Sequence, residues 1–268
     1  MTFTLGPALL FCPADRPERF RGALEKADAV ILDLEDAVSP GVKQAARANL
    51  LAADVDPDRA IVRVNPPGSD DFEADLEMLS RSAFRTVMVA KTESPQSLDA
   101  FDDGFSLLAL CETARGVHAA DRIAAHPRVV GMMWGAEDLV ASLGGTSSRR
   151  ADGAYRDVAR YARSRVLMEC GAQGKAAIDA VHLMIDDLDG LRSEAEDAAA
   201  SGFHASACIH PAQVAVIRSA YRPAPELVAW AQDVLAAADR ERGVFRFEGR
   251  MIDEPVLRHA RAVISRAG

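Results

Sequence analysis

Two carboxylates stand where apolar runs stop: Glu112 directly follows Leu107–Cys111, and Asp138 follows Val129–Trp134 by four positions. They are 26 residues apart, about one strand-and-helix step, which places them side by side on neighbouring strands. Like charges so placed repel unless something positive joins them. A hard divalent cation would do so, and Mg²⁺ often takes only one or two carboxylates and completes its shell with water and substrate oxygens. No His or Cys is placed by spacing to join the pair, and Cys111 points to the opposite strand face from Glu112, so zinc is disfavoured. Two solvated acids in surface loops are the alternative that spacing leaves open.

Arg63 lies inside the apolar run Ile61–Asn65 (IVRVN), where a guanidinium needs a partner. Its planar fork suits a carboxylate, either a neighbouring acid of the protein or a substrate. Leu32–Val38 (LDLEDAV) adds Asp33, Glu35 and Asp36, more acids than one ion needs. Some of these are expected to orient the site through hydrogen bonds to its ligands. Asp33 could equally pair with Lys43 or Arg47. Lys91 has nothing beside it to mark a lowered pKa and so supports no Schiff-base role. Glu137 has no assigned role, and His210, alone before a proline, reads as structural. No G-x-S-x-G elbow, P-loop or G-x-G-x-x-G fingerprint occurs, which removes the usual support for serine hydrolase, P-loop nucleotide and Rossmann readings.

These residues need a scaffold that gathers strand ends. Eight short apolar runs supply one: Ala8–Cys12, Ala29–Leu34, Ala60–Val64, Thr86–Ala90, Leu107–Cys111, Val129–Trp134, Ala176–Val181 and Ala205–Ile209. Most are followed by helix-like text, including Pro17–Lys26, Pro40–Ala52, Asp71–Ser80, Thr113–Ala124 and Leu191–Ala200. Alternation of this kind predicts βαβ units, and eight of them predict a closed α/β barrel, the (β/α)₈ or TIM barrel, with its chemistry at the C-terminal strand ends. Charge abuts nearly every such end: Asp15 and Arg16, Arg63 and Asn65, Lys91 and Glu93, Asp179 and His182. Gly144–Tyr155 (GGTSSRRADGAY) reads as an exposed loop. Beyond the eighth run, Pro211–Arg218, Pro225–Arg240 and Pro255–Arg266 read as helices and Gly243–Gly249 as an extended piece. The expected organisation is a barrel over residues 1–221 and a helical C-terminal extension over residues 222–268.

Hydrophobic residues at 49% and charged ones at 26% allow an ordinary core, so the chain is expected to be ordered throughout. A net charge of −9 argues against nucleic acid and anionic membranes as partners. The four cysteines are widely spaced, three of them in apolar runs, and read as reduced thiols. With no secretory signal and no run of about 18 apolar residues, the expected location is cytoplasmic.

Phe11–Phe20 (FCPADRPERF), Val30–Val38 (VILDLEDAV), Lys43 with Arg47, Val62–Asn65 (VRVN), Ala109–Gly116 (ALCETARG), Gly135–Leu139 (GAEDL) and Cys208–Gln213 (CIHPAQ) occur in that order. Together they resemble the citrate lyase β-subunit-like (CitE-like) branch of the HpcH/HpaI aldolase family, near the malyl-CoA and citramalyl-CoA lyases. Phe247–Pro255 (FEGRMIDEP) carries the resemblance into the tail. It implies a homotrimeric, Mg²⁺-dependent carbon–carbon lyase of short 3-hydroxyacyl-CoA thioesters, whose partners are acyl-CoA and keto-acid small molecules. Carried over by position, it implies Glu112 and Asp138 as metal ligands and Arg63 on the substrate's oxygens. Asp253 becomes a tail acid–base group that enters a neighbouring subunit's site, and Gly135 and Ala136 offer backbone N–H groups to a carboxylate. Ala14, where these subunits commonly have glycine, and the Ser147–Tyr155 loop depart from the pattern and leave the thioester's carrier open. The alternatives are a thioester-independent pyruvate aldolase and a non-catalytic citrate lyase-type subunit.

Overall fold

Eight strands pair in parallel in chain order, and the eighth returns to the first: β1 (Ala8–Pro13), β2 (Ala29–Asp33), β3 (Ala60–Val64), β4 (Thr86–Val89), β5 (Ser106–Cys111), β6 (Val129–Trp134), β7 (Ala176–Asp179) and β8 (Ala205–Cys208). This computed structural model describes residues 3–241 and 243–267. Each strand coincides with a predicted apolar run to within two residues. The runs are nearly continuous because these strands are covered on both sides; β2, β3 and β6 are buried at every position. Closure leaves no unpaired strand edge. Leu9, Ile31, Ile61, Met88, Leu108, Met133, Ile178 and Ala207 belong to one buried cluster that fills the barrel core.

The intervening helices are α1 (Phe20–Lys26), α2 (Lys43–Leu51), α3 (Asp70–Ser80), α4 (Ala114–His118), α5 (Ala120–Ala124), α6 (Ala136–Ser142), α7 (Asp157–Ala172) and α8 (Leu188–Ser201), with α9 (Pro211–Tyr221) after the last barrel strand. Local chemistry sets several starts. Ser69 caps α3 by accepting from the Phe72 N–H, Thr113 caps α4 by accepting from Gly116, and Asp187 caps α8 by accepting from Gly190. Two features were not legible in the sequence. Between β4 and β5 there is only one 3₁₀ turn, Pro95–Leu98, and no α-helix. The sixteen-residue α7 went unread because the face it buries is made of Ala159, Ala162, Val166 and Cys170, too small to register as an apolar stripe.

The chain divides into two compact units, Met1–Ile217 and Arg218–Gly268. The second contains α10 (Pro225–Ala238), a two-stranded antiparallel hairpin of β9 (Phe245–Phe247) and β10 (Arg250–Ile252), and α11 (Glu254–Ala267). Glu248 and Gly249 both have positive φ, as a two-residue hairpin turn of this twist requires. The predicted extended piece is thus the first half of a hairpin. Ala231, Val234, Ile252, Ala260 and Val263 form this unit's core, with Trp230, Phe245 and Phe247 against it. Among the described residues no helix is long and apolar enough to cross a membrane.

Candidate active site

Side chains alternate across a strand, so the residues that follow Ile31, Ile61 and Leu110 by two, namely Asp33, Arg63 and Glu112, reach the C-terminal mouth of the barrel together. Asp33 and Arg63 are direct register partners. Arg63 forks onto Asp33, Nε to Oδ1 at 2.6 Å and Nη2 to Oδ2 at 2.5 Å, and its Nη1 lies 3.1 Å from Glu35 Oε2. The guanidinium also stands 4.9 Å from the centre of the Phe11 ring. Burial works to lower the Arg63 pKa, but Asp33 and Glu35 outweigh it, so the group is held firmly charged. Asp33 accepts two further hydrogen bonds, from Glu35 N–H (2.9 Å) and Ala37 N–H (3.2 Å), which shape its own loop.

Asp33 does not take the partners that the sequence offered as an alternative. Lys43 bonds Asn65 and lies 3.7 Å from Asp71, while Arg47 holds Asp71 and Asp75, each at 2.6 Å. Both cations belong to α2, outside the sheet, whereas Asp33 lines the mouth cavity.

Glu112 is 3% exposed and accepts a hydrogen bond from the Lys91 backbone N–H at 3.0 Å. Burial, and then the Asp138 carboxylate, push its pKa up to about 8, against the opposing pull of Arg63 and Lys91. Gly135 makes room for it, since a Cβ there would sit 2.8 Å from Glu112 Cβ and 2.9 Å from Oε2. The glycine is needed by the acid beside it as much as by any ligand. Asp138 lies in the first turn of α6, more open than Glu112, with Oδ1 3.4 Å from Lys91 Nζ. The Lys91 ammonium also bonds Glu35 and lies 3.2 Å from Asp36. Burial works to lower the Lys91 pKa, but the hydrogen bond it donates to Glu35 and the surrounding acids raise it, the opposite of what a Schiff-base lysine needs.

One cavity of about 240 Å³ opens between these groups. Asp33, Asp36, Arg63, Glu112, Gly135, Ala136 and Asp138 all line it, opposite an apolar wall that includes Phe11, Leu110, Met133, Val181 and Ile209. Glu35 is buried and holds Arg63 and Lys91. Asp253 belongs to the second unit, where its carboxylate caps α11 by accepting from the Val256 N–H at 3.3 Å. Among the described residues no three His, Cys, Asp or Glu side chains converge as a ready-made metal cage. Two carboxylates with hard oxygen donors, one deeply buried beside the other's like charge, nonetheless suit a divalent ion that brings its own waters.

Sequence reasoning passed over three features of this mouth. Lys91 was weighed only as a Schiff-base candidate and set aside, because the left-handed backbone that aims it is not written in its type. Phe11 was visible only as part of a strand. The Gly144–Tyr155 loop was read as exposed, yet Ser148 is buried and its Oγ donates to Glu137 at 2.5 Å, which gives Glu137 a role in anchoring that loop. Arg149 bonds Glu194 and stacks 3.8 Å from the Tyr155 ring centre, and Tyr155 meets Trp134 edge-on at 5.2 Å. Other mouth residues are tied up locally. Asp179 accepts from Trp134 Nε1 at 2.6 Å and from Arg163; His182 lies 3.0 Å from Glu194 and 3.3 Å from Asp187; and His210 Nδ1 accepts from the Ala212 N–H, in keeping with the structural reading.

The family model described as HpcH/HpaI aldolase/citrate lyase matches residues 8–211. A citrate lyase subunit beta-like protein of Mycobacterium tuberculosis is 56% identical over 263 residues, 98% of this chain and 96% of its own length. The human mitochondrial citramalyl-CoA lyase is 31% identical, over 97% of this chain and 85% of its own. A crystal structure of the M. tuberculosis protein CitE in complex with magnesium, acetoacetate and coenzyme A superposes with a TM-score of 0.94 at 55% identity, covering 99% of both chains.

Proposed function

Because this chain belongs to the HpcH/HpaI aldolase/citrate lyase family, we propose that it is a Mg²⁺-dependent carbon–carbon lyase. Its substrates are short 3-hydroxyacyl-CoA thioesters of the malyl-, citramalyl- or hydroxymethylglutaryl-CoA type, and it cleaves them to a shorter acyl-CoA and a keto acid, or runs the reverse. The relatives that act on or bind such molecules support this reading. The observation that carries it is the meeting of buried Glu112 and Arg63 with the half-buried Asp138 on one cavity.

In the cleavage direction the substrate loses its 3-hydroxyl proton and the C2–C3 electron pair passes to the thioester as an enolate. A carbonyl forms on the departing keto acid. Glu112 and Asp138 are the ligands that would hold Mg²⁺, which when bound supplies Lewis-acid polarisation to the reacting oxygens. Arg63, immobilised by two hydrogen bonds to Asp33 and an ion pair with Glu35, keeps further N–H donors for substrate oxygens on which charge develops. Backbone N–H groups of Gly135 and Ala136 receive the keto acid's carboxylate. The apolar wall formed by Phe11, Leu110 and Met133 keeps water from the enolate. Asp253 of a neighbouring subunit delivers or removes the proton at C2. In this reading residues 222–268 pack on that neighbour in a homotrimer.

The test is a panel of 3-hydroxyacyl-CoA thioesters assayed with Mg²⁺ and with a chelator, following both products. The expected result is keto acid and acyl-CoA in equal amounts, lost on chelation. Equal cleavage of the free hydroxy acids would replace this reading with a thioester-independent aldolase. Absence of turnover on every thioester would replace it with a non-catalytic subunit.

A further inference from the structure

Lys91 is one of only two non-glycine residues with positive φ among those described, at +47°. A side chain in the left-handed region is strained by its Cβ, a cost that glycine would avoid. At the end of β4 this conformation does two things at once. It turns the Lys91 N–H onto Glu112 Oε1, and it sends the side chain to Glu35, Asp36 and Asp138. The mouth gathers six acids, Asp33, Glu35, Asp36, Glu112, Glu137 and Asp138, against the two cations Arg63 and Lys91. Arg63 is committed to Asp33 and Glu35, so Lys91 is the cation that faces Asp138.

Resting on the functional reading above, we propose that Lys91 is a positioning residue for the metal pair. Its amide fixes Glu112, and its ammonium, anchored by Glu35, is a resident counter-charge on Asp138 that a divalent ion must displace or share. The ammonium then has three effects. It steadies the carboxylates of the metal-free protein, and it would weaken divalent-ion affinity by Coulomb repulsion, since it stands 3.4 Å from Asp138 Oδ1. It also offsets the acidic mouth that an anionic CoA thioester has to approach.

The test is Mn²⁺ titration of the metal-stripped full chain by calorimetry, for wild type, Lys91→Met, Lys91→Gln and Lys91→Arg. Both uncharged variants should bind Mn²⁺ about tenfold more tightly, have a lower Tm without metal and show a larger rise in Tm on adding it. Lys91→Arg, which keeps the charge, should bind as wild type does. A residue serving only as scaffold would lose affinity when replaced, so the sign separates the two roles. If wild type binds Mn²⁺ and both uncharged variants bind equally or more weakly, this inference is overturned and the functional reading stands. If wild type binds no divalent ion, both are overturned. Should Lys91→Met fail to fold, Lys91→Gln decides alone.

Discussion

At Glu112, burial and the Asp138 carboxylate raise the pKa from 4.5 to about 8, so the metal-free protein near neutral pH holds a proton that its unfolded chain has released. A raised carboxyl stabilises the fold fully below the unfolded value, and this contribution is lost as pH rises through about 8. A divalent ion needs the carboxylate, so binding at about pH 7 should expel close to one proton, and at about pH 9 almost none. Calorimetric heats of Mg²⁺ binding measured in buffers of different ionisation enthalpy report this number; heats independent of buffer at about pH 7 would show that Glu112 is not the protonated ligand. Glu112 and Asp138 were legible in the sequence because charge stops two apolar runs about one βα step apart. Lys91 was not, because its contribution rests on a backbone angle and on carboxylates from the loop after β2 and from α6.

The element that departs most from its sequence reading is the segment between α6 and α7. Its glycines and arginines suggested a loop in solvent, and Gly144–Ser147 is exposed, yet Ser148 is buried against Glu137. Arg149 closes the structure through Glu194 and the Tyr155 ring. Its cation–π contact and ion pair together are worth about 1–2 kcal/mol locally. Arg149→Met should therefore speed amide hydrogen exchange across residues 147–156 by about tenfold, with β5 and β6 unchanged; equal exchange in both proteins would mean that the loop is held elsewhere. The reason the sequence hid this is that two of its partners, Trp134 and Glu194, lie on β6 and α8, 21 residues from Tyr155 and 45 residues from Arg149 respectively.

For the whole molecule, the proposed homotrimer makes a prediction that no single chain can satisfy. In that reading Glu112→Ala removes a proposed metal ligand from one part of a shared site, and Asp253→Ala removes the proposed acid–base group supplied to a neighbour. Each variant should be inactive alone, while a mixture allowed to exchange subunits should regain partial activity, read as keto acid released per chain. No recovery in exchanged mixtures would argue that each site is built within one chain. What the sequence determined by itself was the barrel and its order of strands, because strands covered on both faces must be written as apolar runs and eight such runs close into one sheet. It also determined which acids and which arginine reach the mouth, since alternation along a strand is a local property. The tertiary structure alone decided who partners whom. Arg63 binds Asp33 and Glu35 rather than waiting empty, Asp33 ignores Lys43 and Arg47, Gly135 yields space to Glu112, and Lys91 bridges Glu35 to Asp138. Those pairings depend on how neighbouring strands are registered around a closed barrel, and register is set by the packing of all eight strands together, which no stretch of sequence contains.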